Sequence, residues 1–181
     1  MSKTGMKLPE GSKMHWKRIG KYLLLVLGGI LINLILSQTT GQLKIPMYLD
    51  CIGTILVSMI GGFVPGIVVG YATNLLKMIF DPESIYYCAI NVLIAVLAAL
   101  LQRKNWFRTW KKTLLSVPLF ALIGGGLGSL LTLVMYGFSI AEDFTGPLAE
   151  QINNTVHSVF VSQVVSSIVF DLLDKLISVV A

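Results

Sequence analysis

The chain has 181 residues, of which 55% are hydrophobic and only 13% charged, and its mean hydropathy is +0.79. Soluble domains carry about 25% charged residues, so this composition excludes an ordinary soluble globule and predicts an all-α integral membrane protein. The net charge of +5 does not mark a nucleic-acid binder, because the basic residues form two blocks beside apolar runs, where positive-inside bias puts them.

In chain order, residues 1–18 read as a basic cytoplasmic tail carrying Lys3, Lys7, Lys13, Lys17 and Arg18, with His15 and Trp16 at the membrane interface. Residues 19–181 read as one six-helix membrane domain. No cleaved signal is expected: the apolar run Tyr22 to Leu36 is too long and Ser37-Gln38-Thr39-Thr40 is a poor cleavage site. The first helix is predicted from Ile19 to Leu36, with Asn33 bonding to a neighbouring helix. An outer loop, Ser37 to Pro46, follows. The second helix, Pro46 to Ile60, is short for a crossing, so it either tilts little or begins below the surface. Gly61-Gly62-Phe63-Val64-Pro65-Gly66 forces a turn into a third helix, Val64 to Phe80. Asp81-Pro82-Glu83-Ser84 turns into a fourth, Ser84 to Leu101.

The second basic block, Gln102 to Lys112, interleaves Trp106, Phe107 and Trp110 with five cationic residues. Beside an apolar segment this pattern is an interfacial anchor rather than a nucleic-acid site. The fifth helix is predicted from Thr113 to Tyr136. An outer loop with Glu142, Asp143 and Glu150, read as solvated, leads to a sixth helix from Ile152 onward. Six crossings from a cytoplasmic start bring both basic blocks to one side.

Small residues recur every fourth position: Thr54, Ser58 and Gly62; then Gly66, Gly70 and Asn74; then Asn91, Ala95 and Ala99; then Gly124, Gly128 and Thr132. In lipid, close backbone approach through small residues supplies much of the packing. The stripes therefore predict a tight monomeric bundle, or else a docking face for a partner.

Polar groups inside apolar helices need a reason, since a charge at mid-bilayer costs at least about 2.5–3.5 kcal/mol. Asp50 and Lys77 fall at similar depth on adjacent helices, where they either neutralise each other or meet a ligand. Asn74 lies one turn before Lys77, and Asn91 and His157 enter their helices at comparable depth. These five are expected to border one outer-facing pocket, with Tyr48 and Tyr71 as walls. Asp171, Asp174 and Lys175 are expected near the inner end of the last helix, with an i,i+4 pair at the interface and a structural or partner-facing role. Cys51 and Cys88 are expected as free thiols packed among apolar groups. No catalytic constellation is visible: His-Glu-x-x-His and the Walker phosphate loop are both missing, and Gly124-Gly125-Gly126-Leu127-Gly128 follows no strand. The expectation is a binding protein rather than an enzyme, with no cofactor and no metal.

Tyr48-Leu49-Asp50, Gly53-Thr54, Gly61-Gly62-Phe63-Val64-Pro65-Gly66, Gly70 and Asn74, with Asn91 and Asp174-Lys175, resemble the substrate-binding S components of energy-coupling factor (ECF) vitamin transporters. The resemblance implies a six-transmembrane-helix bundle of the ECF S-component type in a bacterial cell membrane. It implies capture of a small vitamin-like molecule near the outer face, under the loop between the first two helices. It also implies partners: a transmembrane coupling protein and two ATPase subunits. Where members that share a coupling module carry Ala-x-x-x-Ala on the first helix, this chain has Gly28, Gly29 and Asn33. The alternative is a ligand-sensing membrane domain of a larger signalling protein, whose last helix would continue past Ala181.

Overall fold

The computed structural model describes residues 10–180, with side chains from residue 19 onward. The basic tail of residues 1–9 and the interfacial places expected for His15 and Trp16 lie outside what is described. Every regular element among the described residues is helical: α1 (Glu10–Gln42), α2 (Ile52–Gly61), α3 (Phe63–Lys77), α4 (Cys88–Arg103), α5 (Trp110–Ala121), α6 (Gly128–Met135), α7 (Gly146–Val156) and α8 (Val159–Val180). Two tight 3-10 turns, Pro82–Tyr87 and Trp106–Arg108, lead into α4 and α5. A wide π turn, Leu122–Leu127, joins α5 to α6 as one continuous rod.

Three stretches are long and apolar enough to cross a membrane: Ile19–Gln42, Pro82–Arg103 and Trp110–Met135. The remaining helices differ in kind. The ten residues of α2 and the fifteen of α3 reach only about 15 and 22 Å, short of a hydrocarbon core of about 30 Å. The 22 residues of α8 have the length but contain Asp171, Asp174 and Lys175.

Several boundaries differ from the sequence expectation, each for a local reason. The first helix runs to Gln42 because the Thr39 and Thr40 hydroxyls donate back to the carbonyls of Ile35 (2.7 Å) and Leu36 (3.1 Å), which keeps Ser37–Gly41 helical. The second begins at Ile52 rather than Pro46, because the Tyr48 and Leu49 amides are bound elsewhere. The last helix starts at Val159 rather than Ile152. His157 adopts the left-handed conformation (φ +52°), which ends α7 and re-aims the chain into α8.

The helices pack as antiparallel neighbours through the small residues. Gly29 of α1 touches Gly53 of α2, and Leu25 touches Gly61. On α3, Gly66 rests on Ser58, and a methyl at Gly70 would come within 2.9 Å of the Asn91 carbonyl of α4. On the rod, Gly125 lies against α8, where a methyl would meet the Ser167 carbonyl at 2.7 Å. These stripes are thus used inside the chain. Gly62, at φ +83°, is the single residue between α2 and α3, a conformation glycine takes without a Cβ penalty.

Asn33 ties the first three helices. Fully buried, its amide donates to Thr54 Oγ1 (2.9 Å) and Thr73 Oγ1 (3.0 Å) and accepts from the Gly53 N–H (2.6 Å). An apolar cluster of Cys51, Ile55, Ile94, Ala98, Leu101 and Phe120 fills the centre, with Trp106 and Phe107 packed on it. At that end Arg103 stacks on Phe63, 4.3 Å from the ring centroid. Cys51 and Cys88 are free and buried.

Candidate functional site

A cavity of about 250 Å³ opens between α3, α4, the α5–α6 rod and α8. Three observations explain why the sequence leaves a space here. The chain between α1 and α2 enters the bundle without helical structure, and α2 begins deep. The π turn widens the rod at Gly124–Gly126. Glycines at 124, 125 and 128 then line the wall where side chains would fill it.

Asp174 fixes the non-helical entry. Its Oδ1 accepts the backbone N–H groups of Tyr48 (3.1 Å) and Leu49 (2.7 Å). Non-helical backbone inside an apolar bundle must find such partners or line a cavity. Leu49 is held at φ +43°, unusual for a residue with a branched side chain. The carboxylate's other oxygen pairs with Lys175 Nζ at 2.5 Å, and the same ammonium bonds Asp171 Oδ1 at 3.0 Å. All three groups are buried.

Five of the seven sequence-predicted residues line this cavity: Tyr48, Asp50, Asn74, Lys77 and Asn91. Lys77 Nζ pairs with Asp50 Oδ2 at 2.8 Å, so these two neutralise each other and also face the space. Asn91 donates to the Asp50 carbonyl at 3.5 Å. Tyr71 and His157 are not part of the lining, which corrects both expectations. Gly70, Asn74 and Lys77 follow one stripe of α3, whereas Tyr71 is rotated about 100° from Gly70 and is 51% exposed. His157 caps α7, exposed, with Nδ1 against the Thr155 carbonyl at 3.2 Å.

A second correction concerns Asp171, Asp174 and Lys175. The expected i,i+4 pair Asp171–Lys175 is present at 3.0 Å, but all three groups are buried inside the chain rather than placed at its edge. Because α8 starts late, Asp171 lies opposite Gly124, near the middle of the Trp110–Met135 stretch. Asp171 and Lys175 line the cavity floor. The signal was present as three charges in one apolar helix, which points inward more often than outward.

At the mouth, Asp81, Glu83 and Asp143 join the lining. Each is held by a hydroxyl. Ser84 Oγ donates to Asp81 (2.6 Å), the Tyr136 hydroxyl to Glu83 (2.6 Å) and the Tyr48 hydroxyl to Asp143 (3.1 Å). The hydrogen bond to Glu83 pushes the Tyr136 phenol up to about 12, so Tyr136 stays the donor. Asp143 is exposed, as the sequence reading had it, and it also orients Tyr48 and caps Thr145, accepting from its N–H at 2.8 Å. Gln163 of α8 pins the same loop, accepting from the Ala141 N–H at 3.1 Å and donating to Thr145 Oγ1 at 3.0 Å.

Three buried oxygens in the lining residues have no protein partner: Asn74 Oδ1, Asn91 Oδ1 and Asp171 Oδ2. A buried acceptor left unpaired costs about 1–3 kcal/mol. All three belong to residues that line the cavity. No protein-family model, curated protein or solved structure matches the chain.

Proposed function

We propose that this protein is a membrane-embedded binding protein that captures a small vitamin-like molecule from the outer side. In this reading it serves as the substrate-specific subunit of an ECF-type importer, whose coupling protein and two ATPases are separate chains. The observation that carries it is the cavity with its three unpartnered buried oxygens. The volume, about 250 Å³, falls just below the usual range of small-molecule pockets, which starts at about 300 Å³, so the occupant is small. The broken entry before α2 is a second support, since interrupted helices in membrane bundles tend to surround binding sites.

In this reading, six passes from a cytoplasmic start would put the acid-ringed mouth outside and both basic blocks in the cytoplasm. Cysteines placed at Ser2 and Thr109 are expected to resist an impermeant thiol reagent in intact cells. Labelling of either from outside overturns this orientation.

The test of binding is two measurements on Asn91→Ala and Lys77→Met in detergent: titration with molecules recovered by mass spectrometry from the purified protein, and thermal unfolding. Loss of a polar contact to the ligand is expected to weaken binding by about 1–3 kcal/mol. Loss of stability with unchanged affinity in both variants makes these residues helix glue and places the function elsewhere.

A further inference from the structure

We infer that the cavity takes a small organic cation, such as an amidinium, a protonated amine or a cationic heterocycle. The inference rests on the binding reading above and names the chemistry of its ligand. Several observations lead to it.

Both lysines of the lining are already engaged, Lys77 by Asp50 at 2.8 Å and Lys175 by Asp171 Oδ1 at 3.0 Å as well as by Asp174. Each ammonium is thus already offset by a carboxylate, and neither offers an anion an uncompensated positive charge. Asp171 on the floor and Asp174 behind it share the one Lys175 ammonium, two carboxylates against one cation. Asp171 Oδ2 has no partner, although its side chain is only 6% exposed. Asn91 offers an acceptor, because its Nδ2 is turned to the Asp50 carbonyl and leaves Oδ1 unpaired.

The aromatic groups point the same way. The hydroxyls of Tyr48, Tyr87 and Tyr136 are spent on Asp143, Thr132 and Glu83. What these three lining residues offer an occupant is ring surface, and the negative face of an aromatic ring attracts a cation. Asp81, Glu83 and Asp143 at the mouth extend the negative field outward. A cation is drawn toward such a mouth and an anion is repelled. A donor-bearing cation satisfies the unpaired oxygens of Asn91 and Asp171 and neutralises the floor in one step.

The test uses a charge ladder on one shape: benzamidine, benzamide and benzoate, titrated against the purified wild-type protein by thermal shift and calorimetry. The occupant carried through purification is identified in parallel by mass spectrometry. Benzamidine is expected to bind about 10–100-fold more tightly than benzamide, the range of a charge-assisted hydrogen bond, and benzoate not measurably. Asp171→Asn keeps the shape and is expected to erase the amidine preference. The wild-type ladder decides the question even if that variant does not fold. A neutral or anionic native occupant, or benzoate binding as well as benzamidine, overturns the charge assignment and leaves the binding reading standing. No occupant of any charge, and no binding across the ladder, overturns both.

Discussion

Replacing Asp174 tests whether the loop before α2 is held inside the bundle. Its Oδ1 accepts two backbone N–H groups at 3.1 and 2.7 Å, and its Oδ2 pairs with Lys175. Asp174→Ala removes all three contacts and leaves Lys175 with Asp171 alone. Side-chain hydrogen bonds in membrane bundles average only about 0.6 kcal/mol, because the unfolded chain finds other partners. Three such contacts would give about 2 kcal/mol. The amides of Tyr48 and Leu49 have no helical alternative, however, and breaking a buried ion pair costs about 3–5 kcal/mol. The larger range is therefore expected for Asp174→Ala. Asp174→Asn keeps an acceptor for both amides, and about 1–2 kcal/mol is expected, as each charged bond becomes a neutral one. Unfolding in mixed micelles against increasing dodecyl sulfate measures both losses. Hydrogen exchange of a peptide covering 43–51 locates them. A cost below about 1 kcal/mol for Asp174→Ala, with exchange of that peptide unchanged, would mean the latch carries nothing.

Asn33→Leu unpairs the Gly53 N–H and cuts the tie to Thr54 and Thr73; a loss of about 1–3 kcal/mol is expected in the same titration, and a stable variant would show that helix packing alone holds α1. Gly124→Ala places a methyl against the Asp171 carboxylate. Overpacking of this kind costs about 1–3 kcal/mol and moves a cavity-floor group, so ligand affinity is expected to fall even where the variant remains folded; unaltered affinity separates Asp171 from the ligand. Cys51 and Cys88, free and buried, are expected to alkylate only after unfolding and to show no mass difference between reduced and non-reduced samples.

How much of this was legible follows from which signals are local. The helix-turn pattern from Gly61 to Ser84 was readable because glycine and proline constrain their own backbone. Asp50, Asn74, Lys77 and Asn91 were readable as a group because period and depth along adjacent helices put them together. Tyr71 was misplaced by one step of helical rotation, which depth alone does not resolve. The start of α2 was misjudged because the groups that keep Tyr48 and Leu49 out of the helix sit on Asp174, more than 120 residues later. The same distant contact hid the role of α8. A break at His157 moved its start by seven residues, and a shift of that size carries Asp171 from the expected end of the helix to its middle. The π turn at Leu122–Leu127 announced itself only as a run of glycines, which also fits plain helix packing.

The shortness of α2 and α3 has a consequence for how the chain is made. In the membrane reading, neither is long enough to be stable in a bilayer by itself, at about 15 and 22 Å against about 30 Å. The usual scheme, in which each helix inserts independently and the set then assembles, is closed to this pair. They have to enter as one hairpin, folded about Gly62 and placed against an α1 that is already in the bilayer. Asn33 is positioned to receive that hairpin, since it bonds to Gly53 and Thr54 on one arm and to Thr73 on the other. Synthesis order favours this, because α1 emerges first. The hairpin can settle only once Lys77 has left the ribosome, and the latch from Asp174 closes only when the last helix arrives.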